Sequence, residues 1–113
     1  DFYREDKCDY AYNHIPKGNK YPDGLGAEIC SMDLLKIINK NAIITDHKEH
    51  LFNYIWSHSK EYSIKTFNPF KEISYPELKL DIDTMDDYRC LLEKKYRIDM
   101  NAVEIICMKN GEI

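Results

Sequence analysis

The sequence predicts an α/β chain, and three observations carry that expectation. Segments 8–13, 62–67 and 78–83 alternate apolar and polar residues with the two-residue period of strands. Apolar residues recur at helical spacing after Ser31, Asp46, Thr84 and Asn101, each a residue type that caps helices. Strand-like and helix-like segments interleave, which is the order of an α/β or closely related α+β arrangement.

Taken in order, residues 1–7 read as the tail of a helix and Cys8-Asp-Tyr-Ala-Tyr-Asn13 as a short strand. His14 to Gly26 carries two prolines and three glycines and reads as a loop. Ala27-Glu-Ile-Cys30 is a second strand candidate. Ser31 caps a helix whose Leu34, Leu35, Ile37 and Ile38 form its apolar face. Asp46 and Glu49 have capping-box spacing for a helix that buries Leu51, Phe52, Ile55 and Trp56. Tyr62 to Phe67 is a strand stopped by Asn68-Pro-Phe. Leu78 to Asp83 is another, with Leu78, Leu80 and Ile82 on one face and Lys79, Asp81 and Asp83 on the other. Thr84 with Asp87 opens a helix that turns Met85, Tyr88, Leu91 and Leu92 inward. Asn101 with Glu104 opens the last helix, and Gly111 stops it.

The chain has 113 residues, 43% of them hydrophobic and 32% charged, which suits a single globular domain over 1–113 rather than a disordered segment. A net charge of -4 with scattered Lys and Arg argues against nucleic-acid binding. No apolar run approaches the roughly 20 residues that span a bilayer, and no signal peptide is present, so a cytoplasmic location with no membrane partner is expected. Cys8, Cys30, Cys90 and Cys107 have no Cys-x-x-Cys spacing and lie in or beside apolar runs, which points to buried free thiols. The nine tyrosines are expected half-buried, with hydroxyls reaching water.

Asp81 and Asp83 end a strand just before a capped helix, where ligands gather in open α/β sheets. Magnesium takes one or two carboxylates plus substrate phosphates, so this position suits it; a solvated strand face is the plainer reading. Asp23 lies in the turn Pro22-Asp23-Gly24, where its carboxylate can bond its own backbone or face a ligand. Gly24 and Gly26 would let backbone N–H groups approach a substrate but form no phosphate-binding fingerprint. His47 and His50 share a helix face, yet no third metal ligand lies at useful spacing, which favours structural or surface roles. His14 and His58 belong to no constellation, and no serine or cysteine is set for covalent catalysis.

The linear order is more specific than any single motif. Tyr21-Pro-Asp-Gly-Leu-Gly-Ala-Glu-Ile29 resembles the Pro-Asp-Gly-Leu-Asp-x-Glu segment of the spore coat polysaccharide biosynthesis cytidylyltransferases. Lys48-Glu-His-Leu-Phe-Asn-Tyr-Ile55 is similar to their Arg-Glu-His-Val-Thr-x-Tyr-Ile segment. Leu80-Asp-Ile-Asp-Thr-Met-Asp-Asp-Tyr88 resembles their Leu-Thr-Val-Asp-x-Pro-Glu-Asp segment. The family is similar to the sialic-acid and ketodeoxyoctonate cytidylyltransferases, which transfer a nucleoside monophosphate from CTP to a sugar with Mg²⁺.

The resemblance implies the C-terminal half of a nucleotide-diphospho-sugar transferase-like, Rossmann-like three-layer fold, with 99–113 as a helical extension. By position it assigns Asp83 to the metal and Asp23, Gly24, Glu28, Glu49 and His50 to the sugar side. It also implies Mg²⁺ as cofactor, CTP and a sugar as substrates, and a possible homodimer. Family enzymes are about twice this length. Their glycine-rich loop, Arg/Lys motif and first metal-binding aspartate lie in the other half, so the chain alone is expected to be inactive. Such a half would also leave a sheet edge open to self-association. Gly26 stands where the family has aspartate, and Lys48 where it has arginine. The alternative is a non-catalytic α/β module whose tyrosine-rich surface binds a protein or a carbohydrate.

Overall fold

The computed structural model describes residues 2–112, together with every side chain in that range except that of Lys48. The outer ends of the expected 1–113 and 99–113 spans, Asp1 and Ile113, lie outside the described residues. The chain divides into two compact units, one made of 1–12 and 28–66 and the other of 13–27 and 67–113.

The first unit carries a mixed three-stranded sheet in the order β2-β1-β3. Helix α1 (Phe2–Asp6) leads into β1 (Tyr10–Tyr12), which pairs antiparallel with β2 (Glu28–Cys30) and parallel with β3 (Ile64–Lys65). All three residues of β1 are buried, as suits a central strand. Tyr10 and Tyr12 point the same way and stack, with ring centroids 5.7 Å apart. Trp56 meets both edge-on, at 5.7 and 5.0 Å, and Phe52 lies 5.1 Å from Tyr10. These are favourable offset and edge geometries for aromatic rings.

Helix α2 (Met32–Asn41) begins as expected: the Ser31 hydroxyl accepts the Leu34 N–H at 3.1 Å. Leu34 and Ile38 are buried, whereas Ile37 is 43% exposed and lies off the buried stripe. The helix expected from Asp46 is two short ones, α3 (Thr45–Glu49) and α4 (Asn53–Ser57), broken at 50–52. No side chain caps α3, because its N-cap position is Ile44; Asp46 falls inside the first turn, and its carboxylate accepts the Asn53 amide at 3.0 Å. Tyr54 and Ile55 are the buried residues of α4. Leu51, Phe52 and Trp56 are half-buried. The 62–67 strand is shorter than expected, reduced to the two residues of β3.

The second unit contains the 13–27 loop, a 3-10 turn at Lys71–Ile73, α5 (Met85–Leu92) and α6 (Ala102–Asn110). Its core is Tyr21, Ile73 and Ile106, with Leu25, Tyr75, Leu78, Ala102 and Val103 packed around them. Helix α6 lies against the 3-10 turn. Both expected capping boxes form: Thr84 with Asp87 opens α5, and Asn101 with Glu104 opens α6. Gly111 ends α6 at φ 78°.

Two expectations change in this unit, and two more, on the cysteines and the tyrosines, change across both units. Residues 78–83 form no strand, because their backbone pairs at one point only, Lys79 with Asp23, and alternation without a neighbouring strand cannot propagate a ladder. Helix α5 buries none of its residues: Met85, Tyr88 and Leu92 are exposed and Leu91 is half-buried. An amphipathic pattern marks a face without supplying the partner that covers it. Cys90 on this helix is exposed, Cys30 and Cys107 are half-buried and Cys8 is buried, so the thiols are free but only one is fully inside. Tyr10, Tyr12, Tyr21 and Tyr54 are buried rather than half-buried.

Gly24 explains why the single pairing can form. Its φ is 86°, and a Cβ there would lie 2.6 Å from the Asp81 nitrogen and 2.9 Å from the Leu80 carbonyl carbon. Only glycine allows both the backbone conformation and this approach. Gly24→Ala is therefore expected to lower the unfolding free energy by about 2 kcal/mol or more in urea denaturation. A loss below about 0.5 kcal/mol would contradict the role.

Candidate functional site

In the second unit, the Pro22-Asp23-Gly24 turn and the Asp81/Asp83 segment come together. The Asp23 N–H donates to the Leu78 carbonyl at 2.9 Å, and the Leu80 N–H donates to the Asp23 carbonyl at 2.8 Å. The Gly24 N–H is taken by the His14 carbonyl at 2.9 Å. This spends the Gly24 amide internally, so glycine serves close packing here. Gly26 is constrained too, since a Cβ would lie 2.3 Å from the Asn13 carbonyl oxygen. That contact is the physical reason a larger residue does not fit at 26 in this chain.

Lys79 sits at the centre of the acidic groups. Its ammonium lies 2.6 Å from Asp83 Oδ2, 3.4 Å from Asp87 Oδ2 and 3.5 Å from Asp81 Oδ1. Residues 79, 81 and 83 thus share a face as their alternation predicts, even without a strand. Asp81 Oδ1 is buried, makes an ion pair with Lys79 and has no hydrogen-bond partner among the described residues. The hydrogen bond to Asp83, reinforced by the neighbouring carboxylates, raises the pKa of Lys79 well above that of an ordinary lysine.

Asp87 answers to several donors at once. Its Oδ2 accepts the Thr84 N–H at 2.8 Å and the Asp83 N–H at 3.0 Å. Its hydrogen bonding with the Thr84 side chain, then with the Asp83 and Thr84 backbones, and the Lys79 charge together bring its pKa down to about 2. Asp23 moves the other way: burial, then the Asp81 charge, raise its carboxyl above the usual range. Asp83 also borders an open hollow of about 430 Å³ lined by Ile82, Thr84, Met85 and Tyr88.

The other predicted residues lie in the first unit. Glu28, on β2, accepts the Tyr10 hydroxyl at 2.6 Å. Burial, and then this bond to a carboxylate, push the Tyr10 phenol far up. Glu49 and His50 are exposed at the end of α3, where the His50 N–H closes the helix on the Asp46 carbonyl at 2.8 Å. His47 turns toward Tyr54 and His58, and the Ser57 hydroxyl lies 3.3 Å from His47 Nε2 and 3.0 Å from His58 Nδ1. Sequence order had connected neither that cluster nor Lys79 to any site. Among the described residues, no group of three or more His, Cys, Asp and Glu side chains is arranged to hold a metal ion.

The carboxylate oxygens of Asp81 and Asp83 are hard donors, and one of them is buried without a hydrogen bond. Oxygen donors of this class are the kind magnesium takes, but here both carboxylates pair with Lys79, and among the described residues they form no ready-made ion site.

Comparison with known proteins gives a consistent direction. No protein-family model matches the chain. It is 29% identical over 108 residues to the spore coat polysaccharide biosynthesis protein SpsF of Bacillus subtilis, covering 86% of this chain and 45% of that protein. A solved cytidylyltransferase from Leptospira borgpetersenii superposes with a TM-score of 0.71 at 19% identity, over 99% of this chain and 48% of that one. The chain resembles the spore coat cytidylyltransferases. It is also 28% identical over 82 residues to the uncharacterized protein MJ1063 of Methanocaldococcus jannaschii, covering 73% of this chain and 34% of that protein. The chain therefore spans less than half the length of these relatives. The structural likeness concerns the fold, a mixed α/β arrangement with a small sheet. Among the described residues, no helix is long and apolar enough to cross a membrane.

The lowered pKa of Asp87 has a consequence for acid stability. Its folded value lies below the ordinary 3.8, so its contribution is complete above about pH 4 and is lost as pH falls toward 2. Asp87→Asn should flatten that part of the stability–pH curve measured by denaturation between pH 5 and pH 2. An unchanged curve would contradict the assignment.

Proposed function

We propose that this chain is the sugar- and metal-binding portion of a nucleotidyltransferase that activates a sugar with CTP for surface polysaccharide synthesis, and that it is inactive alone. The observation that carries this reading is the joining of the Pro22-Asp23-Gly24 turn to the Asp83 segment by backbone pairing, since both belong to motifs resembling the cytidylyltransferases. Similarity to SpsF and to the Leptospira fold supports it. In this reading the chain supplies the C-terminal half of a three-layer Rossmann-like fold, with 99–113 as its terminal extension, and acts in the cytoplasm. Self-association as a dimer through the open sheet edge is part of the same proposal.

The proposed reaction is attack by a sugar hydroxyl on the α-phosphate of CTP, forming the new P–O bond as pyrophosphate leaves. Mg²⁺, when bound, would offset charge on the phosphates. Asp83 would hold the ion, with Asp81 beside it. Asp23 would orient the sugar from its turn; its raised pKa suits a carboxyl that shares a hydrogen bond with a hydroxyl. Gly24 would act by allowing Asp23 and Asp81 to approach. Glu28, Glu49 and His50, in the first unit, match sugar-side positions by sequence resemblance alone. Phosphoryl-group transfer depends on positioning and charge stabilisation, and the nucleotide-gripping elements expected of the family are absent from this sequence.

The test is turnover of this chain joined to the remaining half of the fold. With CTP and a sugar acid at saturating Mg²⁺, Asp83→Ala is expected to lower kcat by at least about tenfold. Near-normal turnover would remove Asp83 from the mechanism.

A further inference from the structure

Resting on the reading of Asp83 as part of a site completed by the other half of the fold, we propose that the uncovered apolar face of α5 is the surface on which that half packs. The stripe is Met85, Tyr88 and Leu92, at the i, i+3 and i+7 positions of one helix face. Met85 and Leu92 are 62% and 66% exposed, and Ile82, just ahead of the Thr84 cap, is 56% exposed. Single exposed apolar residues are ordinary, but Ile82, Met85 and Tyr88 line one hollow of about 430 Å³ together with Asp83 and Thr84. A helix of eight residues that buries none of them has its capping box and little else to hold it. Helices this short draw their stability from packing of the apolar face.

Length names the occupant. The Leptospira cytidylyltransferase matches 99% of this chain with 48% of its own, and SpsF is matched over 45% of its length. These relatives therefore carry a further portion of comparable size. Position selects the surface it meets. Asp83 borders the same hollow as the α5 stripe, and the nucleotide-gripping elements proposed to work with Asp83 belong to the other half. They can reach Asp83 only by approaching this hollow, which brings apolar cover to Ile82, Met85 and Tyr88. A second copy of the chain is the competing occupant. The sheet edge proposed for self-association lies in the first unit and uses no residue of α5.

The test is amide hydrogen exchange read by NMR, on this chain alone and on this chain joined to the part of SpsF outside the match. Joining should slow exchange of the α5 amides by at least about tenfold, as cover over an open helix requires. Met85→Asp and Leu92→Asp should each remove that slowing in the joined protein. Cys90→Asp, on the opposite side of α5, should keep it. In the chain alone, all three variants should leave urea unfolding unchanged, because the stripe is uncovered there. Unchanged α5 exchange on joining, or slowing that survives both stripe variants, would overturn the proposal. So would stripe variants that destabilise the chain alone, since α5 would then be covered from within. Exchange that slows as the chain alone is concentrated would make a second copy the occupant and overturn it too. Turnover separates the two readings: slowed α5 exchange with normal turnover of Asp83→Ala would sink the role of Asp83 and keep the docking face.

Discussion

The pairing of Asp23 with the backbone around Lys79 is the constraint on which the rest of the second unit depends. Two hydrogen bonds, at 2.9 and 2.8 Å, join segments far apart in sequence. Loop closure of that kind has an entropic cost that only a fixed geometry offsets. Gly24 makes the approach possible, buried Pro22 limits the turn, and Tyr21 anchors it in the core with Ile73 and Ile106. A small local permission thus fixes where three aspartate carboxylates meet one lysine.

The electrostatics follow from that placement. Asp23 is pushed toward protonation by burial and by Asp81, while Asp87 is held ionised by donors at the start of α5. Two carboxylates are thereby driven in opposite directions, one by burial and a like charge and the other by helix-capping donors. Lys79 offsets part of the remaining negative charge. Its ion pairs are partly exposed and lie apart from the Tyr21–Ile73–Ile106 core.

Local features were legible in the sequence because their physics is local. Ser31, the Thr84–Asp87 and Asn101–Glu104 boxes and the Gly111 stop each involve residues within one helical turn. The turn at Pro22-Asp23-Gly24 was legible too, but its need for glycine was not, because that need comes from the Asp81 backbone. Asp46 has the spacing of a cap, but the helix starts at Thr45 with Ile44 at its N-cap, so Asp46 falls inside the first turn and binds Asn53 instead. The α5 pattern identified an apolar face and left its cover unspecified. Alternation at 78–83 puts Lys79, Asp81 and Asp83 on one face, but nothing in the spacing shows that the lysine pairs with the aspartates beside it.

The central claim, that the Asp23 turn and the Asp83 segment are fixed to one another by direct backbone hydrogen bonds, is tested most directly by NMR. Scalar couplings across hydrogen bonds should link the Leu80 nitrogen to the Asp23 carbonyl carbon and the Asp23 nitrogen to the Leu78 carbonyl carbon. Both amides should also exchange slowly with solvent. Absence of both couplings, with exchange as fast as at open loop positions, would contradict the account.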